Sequence, residues 1–172
     1  MTIRAFRQED WEGVNRIYAE GVATGTAVFN TALPSWEKWD ASHLEACRLV
    51  AEEQGSVIGW TALTAVSNRC MDSGVAEGSI YVAADFRGKG VGKALLHALI
   101  EVSETAGFWM LQAQIIQDNA ASIALCEACG FRKVGYRERI NRDACGVWHN
   151  LVLVERRSKT VEGSGCNCCC GK

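Results

Sequence analysis

The sequence predicts a mixed α/β domain with seven strands and four helices in the order βααβββαβαββ. Three observations lead to it. The stretch Glu77–Lys93 reads as a strand that runs through a glycine-rich corner into a helix. Two pairs of alternating apolar and polar runs, 48–53 with 56–65 and 131–140 with 147–155, read as hairpins. Three further segments carry apolar residues at helical spacing. A chain of 172 residues is one domain of ordinary size, long enough to bury a sizeable core.

In chain order, residues 2–6 (TIRAF) alternate like a short strand. Glu9 and Asp10 open a helix with Trp11, Val14, Ile17, Tyr18 and Val22 on one face. A loop of small and hydroxyl residues follows over 23–33. Pro34, the single proline, is expected to start a second helix, because its missing N–H costs nothing in a first turn. That helix carries Trp36, Trp39 and Leu44. Gln54-Gly55 turns the first hairpin, and 67–74 is a polar loop. The central strand is expected over 78–84, with a polar turn at 85–87. From Val91 onward the apolar face is Val91, Ala94, Leu95, Ala98, Leu99 and Val102, and Gly107 stands where a glycine would end the helix. Residues 109–116 read as a strand. Residues 120–129 read as a short helix with Asn119 as N-cap and Gly130 past its end. The second hairpin and a polar tail complete the chain.

Apolar residues make up 48% and charged residues 22%, an ordinary globular composition. A net charge of −2 gives no general attraction to nucleic acid or to an anionic membrane. No run approaches the ~20 apolar residues of a membrane span, and the N-terminus lacks a charged-then-apolar signal, so a cytoplasmic protein is expected. Nine cysteines are many, and in that compartment they are expected to be reduced.

The corner at Gly88–Lys93 is the most informative feature. A helix start presents unpaired peptide N–H groups, glycines let a ligand approach the backbone, and Arg87, Lys89 and Lys93 add positive charge. This is an anion site, suited to a phosphate or pyrophosphate. A nucleotide P-loop is excluded, since the position five before Gly92 is Arg87 and Lys93 is followed by Ala94. A dinucleotide fingerprint is excluded because Gly88 and Gly90 are followed by Lys93. What remains, Arg87-x-x-Gly90-x-Gly92 after the strand Ile80-Tyr81-Val82, resembles the coenzyme A pyrophosphate loop of the GNAT N-acetyltransferases. Residues 119–131 (NAASIALCEACGF) resemble that family's N-x-x-S-x-x-L-[HY]-x-x-x-G-F stretch, and the element order agrees. Within the family the chain is most similar to the phosphinothricin and arsinothricin branch. That similarity lies in Glu77–Val82, Phe29-Asn30-Thr31, residues 109–113 and 146–150, and the ending 153–157.

The resemblance implies a mixed, mostly antiparallel twisted sheet of about seven strands flanked by about four helices. It implies an acetyltransferase domain at 1–157 and a flexible cysteine-rich tail at 158–172. It implies a homodimer, with acetyl-CoA as cosubstrate and a small-molecule amine as acceptor. Cofactor contacts are expected from Ile80, Tyr81, Val82, Arg87, Gly88, Lys89, Gly90, Val91, Gly92, Lys93, Asn119 and Ser122.

Acetyl transfer to an amine needs a clamp for the thioester, a base for the ammonium proton, a donor for the oxyanion, and stabilisation of the leaving thiolate. The clamp is the corner. A backbone N–H of Tyr81 or Val82 can serve the oxyanion if a splayed neighbouring strand leaves it unpaired. Glu77 is the candidate base, at the catalytic glutamate position that the resemblance implies; a glutamate merely ending a strand is the alternative. Cys126 stands where the family places histidine or tyrosine. With a thiol pKa near ~8.5 it suits a proton donor better than a base, or a packed small residue. Tyr81 is a further candidate acid, and Tyr136 a weaker one.

Substrate contacts are expected from Phe29, Thr31, Arg69 and His149. Relatives grip an acidic headgroup with basic residues and a tyrosine at positions that here hold Ser67, Arg69 and Asp72, so only the arginine is kept. The implied activity is acetylation of a phosphinothricin, arsinothricin or methionine sulfoximine type amine, which gives resistance. Acetylation of a protein or peptide amine is the alternative. No metal site is expected in the domain. Four of the last seven residues, Cys166, Cys168, Cys169 and Cys170, are thiols that can chelate a soft metal or arsenite, which leaves a sequestering protein as a third reading.

Overall fold

The computed structural model describes residues 1–27, 32–67, 73–143 and 146–162. Phe29, Thr31, Arg69, Asp72 and the four tail cysteines lie outside the described residues. Seven strands form one sheet: β1 (Thr2–Ala5), β2 (Leu49–Glu53), β3 (Ser56–Ala65), β4 (Val75–Val82), β5 (Met110–Ile116), β6 (Arg132–Arg142) and β7 (Trp148–Arg157). Among the described residues the four α-helices are α1 (Trp11–Val22), α2 (Trp36–Ser42), α3 (Val91–Thr105) and α4 (Ala120–Ala128). The element order is the one expected. The sheet order is β1-β2-β3-β4-β5-β7-β6, and every pairing is antiparallel except β4 with β5.

Local chemistry sets the ends of these elements. Gln54 and Gly55, at φ 50° and 77°, are both left-handed, the pairing a two-residue hairpin turn needs. At the end of α3, Gly107 (φ 89°) lets its own N–H reach Glu104 O and the Phe108 N–H reach Ser103 O, a Schellman closure. Gly130 closes α4 in the same way, with the Phe131 N–H on Cys126 O. Asn119 caps α4 by accepting from the Ser122 N–H. Three boundaries differ from expectation. Ser35, not Pro34, begins α2: its side chain accepts from the Lys38 N–H, so the proline stands outside the helix. Leu44 lies beyond α2, which ends at Ser42. The central strand starts three residues early, at Val75, because pairing to β3 and β5 extends it past Gly78.

Two cores lie on the two faces of the sheet. α3 and α4 cover one, with Val91, Leu95, Leu99, Leu111, Ile115, Phe131, Val152 and Val154 buried. α1 and α2 cover the other, where Val14, Ile17, Trp39, Val50, Trp60 and Ala62 are buried. In β4 the parity is strict. Ala76, Ile80 and Val82 belong to the α3 side and Tyr81 to the α1 side, so Glu77 and Ser79 also look toward α1 and α2.

Asp10 anchors the N-terminus and is 6% exposed. Its carboxylate accepts from Arg4 Nη1 (2.7 Å), Arg4 Nη2 (2.8 Å) and the Arg7 N–H (2.7 Å). Burial alone would raise its pKa, but the Arg4 and Arg7 hydrogen bonds and charges outweigh it and hold the group below its ordinary value. A depressed folded pKa gives stability that is present above the unfolded value of about 3.9 and is lost as pH falls through the lower folded value. Denaturant midpoints measured from pH 7 down to pH 2 are therefore expected to fall at the acid end. Asp10→Asn should remove part of that acid slope and cost about 1–3 kcal/mol at pH 7.

Candidate active site

β4 and β5 pair only at Val75–Met110, Ala76–Leu111 and Glu77–Gln112. Beyond them β4 continues with β3 to Val82, and β5 continues with β7 to Ile116, so the two strands part and open a gap. The register shows which amides face it. Ala83 donates its N–H to Ile58 O (2.9 Å), which makes these residues a hydrogen-bonded antiparallel pair. Such pairs alternate, so Tyr81 and Ser79 also turn their backbone groups to β3. The hydrogen bond from Thr61 Oγ1 to Ser79 O (2.8 Å) agrees. The N–H groups of Ile80 and Val82 face the gap. Of the two amides expected from the sequence, Tyr81 is therefore excluded by parity and Val82 remains.

The glycine-rich corner lies at the same end of β4. Gly90 is the N-cap of α3 at φ 85°, a conformation L side chains rarely adopt, and no side chain caps the helix. The first intrahelical acceptor is Gly90 O, bonded by the Ala94 N–H (3.0 Å), so the N–H groups of Val91, Gly92 and Lys93 have no partner within the helix. Arg87 is pinned by its Nε hydrogen bond to Val82 O (3.0 Å), while Lys89 Nζ sits 5.3 Å from the Phe86 ring centre. An open cleft of about 540 Å³ runs over this corner. It is lined by Ile80, Tyr81, Val82, Arg87, Gly88, Gly90, Gly92, Lys93, Asn119 and Ser122, ten of the twelve residues expected to bind a cofactor. Lys89 is outside the lining and the Val91 side chain is in the core. Asn119 serves the fold as well, since its Nδ2 donates to Thr26 O (3.2 Å) and ties the chain after α1 to α4. Unpaired helix-start amides, the two lining cations Arg87 and Lys93, and glycine backbone fit the pyrophosphate of a coenzyme A thioester.

The gap itself holds about 100 Å³, bordered by Gly78, Ser79, Ile80, Gln114, Ser122 and Cys126 among others. Glu77 stands just behind it, within β4 rather than ahead of the strand. Its Oε2 accepts from Gln112 Nε2 (3.0 Å) and Gln114 Nε2 (3.0 Å), and Arg137 Nη1 donates to Gln114 Oε1 (3.3 Å). Two glutamines two residues apart in a strand whose alternate positions are apolar were a sequence signal for this carboxylate's partners. Cys126 is 4% exposed, and its thiol is pushed up to about 11, first by burial and then by Cys129 and Glu127. Tyr81 is raised as well, by burial and by Tyr18. Both groups stay protonated at neutral pH. His149 lines none of these clefts; it binds Asp143 Oδ2 through Nε2 (2.8 Å) at the end of the last hairpin.

A third cleft, about 370 Å³, opens between α2 and β4. Trp39, His43, Trp60, Tyr18, Ser79 and Tyr81 line it. Tyr81 borders all three clefts, and Ser79 borders the gap and the third. Gly21 permits the Tyr81 position, because a Cβ there would lie 2.7 Å from the ring. From sequence, the tryptophans read as core and pocket-wall residues and His43 as a residue on a helical pattern; which of them wall a cleft depends on how α2 lies over the sheet.

Comparison with known proteins agrees with this geometry. The acetyltransferase (GNAT) family model matches residues 6–131. The phosphinothricin N-acetyltransferase of Alcaligenes faecalis is 33% identical over 161 residues, covering 90% of this chain and 81% of that protein. An L-methionine sulfoximine/L-methionine sulfone acetyltransferase of Pseudomonas paraeruginosa is 31% identical, covering 90% and 92%. The crystal structure of a phosphinothricin acetyltransferase from Sinorhizobium meliloti in complex with acetyl-CoA superposes with a TM-score of 0.82 at 28% identity, covering 95% of this chain and 92% of that one. With its splayed sheet, its anion-binding corner and these relatives, the chain belongs to the acetyltransferase (GNAT) family and is an N-acetyltransferase whose cosubstrate is acetyl-CoA.

Proposed function

We propose that the protein acetylates the free amine of a small amino acid analogue of the phosphinothricin, arsinothricin or methionine sulfoximine type, and so detoxifies it. One observation carries the reading: the anion-binding corner and the gap-facing Val82 amide lie where β4 and β5 part, and Glu77 belongs to the last β4–β5 pair before that opening. The names of the relatives support the substrate class.

Bound acetyl-CoA supplies the thioester carbonyl that the amine attacks. Val91, Gly92 and Lys93 hold its pyrophosphate through their N–H groups, with Arg87 and Lys93 adding charge. The Val82 N–H donates to the carbonyl oxygen as negative charge gathers there. Glu77 takes the ammonium proton. Gln112 and Gln114 fix its Oε2, and its Oε1 has no donor among the described residues. Cys126 and Tyr81, both protonated at neutral pH, are donors to the departing thiolate.

The domain acts as a homodimer. Val134, Tyr136, Ile140, Val147 and Trp148, large apolar side chains exposed on β6, β7 and the turn between them, support that reading. The site of action is the cytoplasm, in keeping with the free thiols Cys47, Cys126 and Cys129. Among the described residues no helix is long and apolar enough to cross a membrane.

The test is mass-spectrometric detection of acetylated product from the full-length protein, acetyl-CoA, and phosphinothricin, arsinothricin, methionine sulfoximine or glutamate side by side. Saturable acetylation of at least one analogue, with glutamate acetylated far more slowly, is the expected result. Bound acetyl-CoA with no analogue acetylated would overturn the reading.

A further inference from the structure

We propose that Arg137 on β6 binds the carboxylate of the acceptor and so selects amines that carry an acid on the neighbouring carbon. The inference rests on the amino acid reading above and assigns a further recognition residue to that site.

Strand register brings this residue to the gap from two strands away. Glu77 pairs with Gln112, Gln114 with Leu153, and Leu151 with Arg137, so these side chains share one face of the sheet. β7 lies between β5 and β6. The Arg137 side chain therefore crosses two strand spacings of about 4.8 Å each. It places Nη1 3.3 Å from Gln114 Oε1. Gln114 borders the gap, and its Nε2 donates to Glu77 Oε2 (3.0 Å). A single amide group thus separates the guanidinium from the candidate base.

The backbone beside Arg137 is irregular and fastened. Regular β6–β7 pairing stops after Arg137–Leu151 and resumes at Asn141–His149, so residues 138–140 stand opposite Asn150 alone. Such bulges bend a strand and re-aim its side chains. Arg139, inside the bulge, takes φ 48°, a left-handed conformation unfavourable for a residue with a Cβ. Asn150 holds it there: its Oδ1 accepts from the Arg139 N–H (2.8 Å) and its Nδ2 donates to Gln117 Oε1 (2.9 Å). The Tyr136 hydroxyl donates to the same Gln117 oxygen (2.7 Å). Side chains of β6 and β7 are thereby tied to the residue that follows β5. The ligand chemistry follows from the guanidinium, a planar fork of five N–H donors, of which the Gln114 hydrogen bond occupies one. That fork matches the two oxygens of a carboxylate. In an α-amino acid one carbon bears both the amine and the carboxylate. An acceptor whose ammonium reaches Glu77 therefore has its carboxylate within one amide width, on the Arg137 side of Gln114. Arg137 is exposed, so the pair forms at the rim of the site without the cost of burying both charges.

The experiment compares the full-length protein with its Arg137→Gln and Arg137→Glu variants. The probes are phosphinothricin and methionine sulfoximine, each beside its own α-carboxamide, which keeps the amine and removes the acid. One readout is kcat/KM; the other is calorimetric binding to protein saturated with coenzyme A. The quantity read is the acid-to-amide ratio and its change between proteins, which cancels the differing basicity of the two amines. Arg137→Gln is expected to lower that ratio about ten- to hundredfold, the range of a charge-assisted hydrogen-bonded pair, and Arg137→Glu to lower it further. The KM for acetyl-CoA should not change. Acid and amide falling together in the glutamine variant would make Arg137 a prop for Gln114 and overturn the assignment, as would a ratio that neither variant moves. Absence of acetyl transfer, with a binding preference for the acids that Arg137→Gln lowers tenfold or more, would sink the preceding reading and uphold this one. Absence of binding by both acids would overturn this one.

Discussion

Replacing Glu77 by glutamine is expected to lower kcat/KM for the amine by about 10²–10⁴-fold at neutral pH while leaving acetyl-CoA affinity unchanged. The expected size is that of removing a positioned base. The substitution is close to isosteric, and the new amide oxygen can still accept from Gln112 or Gln114, so the β4–β5 junction should remain intact. The second part of the prediction concerns the pH profile. With Glu77 gone, free amine must come from solution, so activity should recover as the solution pH approaches the pKa of the substrate's ammonium. Steady-state rates from pH 6 to pH 10, with thermal melts of both proteins, check it. A variant with wild-type rates and an unchanged profile would leave Glu77 with only a structural role between β4 and β5.

Trp60→Ala is expected to destabilise the protein by about 3–5 kcal/mol, the usual cost of emptying a large buried aromatic site. Trp60 is 2% exposed and touches Trp39, Tyr18 and Tyr81, so little can collapse into the void. Tyr81 would lose the ring it stacks on, and Tyr81 borders all three clefts. A loss of turnover is therefore expected even at temperatures where the variant stays folded. Denaturant unfolding with the slope monitored, followed by rates at 10 °C, separates the two effects. A loss below 1 kcal/mol would show that α1 and α2 are not held to the sheet through this residue.

The parts of the site legible in the sequence are those that local geometry settles. The corner at Arg87–Gly92 could be read as an anion site because a helix start always leaves amides unpaired, whatever packs around it. Gly90, Gly107, Gly130 and Asn119 announced their roles because left-handed backbone and helix caps are properties of a few consecutive residues. Element order and the first hairpin followed from periodicity for the same reason.

What only the tertiary structure decided depends on strands far apart in the chain. Whether Tyr81 or Val82 offers its amide is a matter of register parity against β3, and a one-residue slip would exchange them. That the amide is free at all depends on β5 leaving β4 after Gln112, which is set by the pairing of β5 to β7, some forty residues further on. Gln112 and Gln114 became partners of Glu77 through that same junction. His43, Trp39 and Trp60 became the wall of a cleft because α2 lies across β3 and β4, an arrangement fixed by the packing of two apolar faces and carried by no single segment. The sequence by itself determined the anion-binding corner, its cosubstrate class and the order of elements. The direction of the Val82 amide and the shape of the cleft beside α2 came from long-range register and packing, which local residue patterns do not encode.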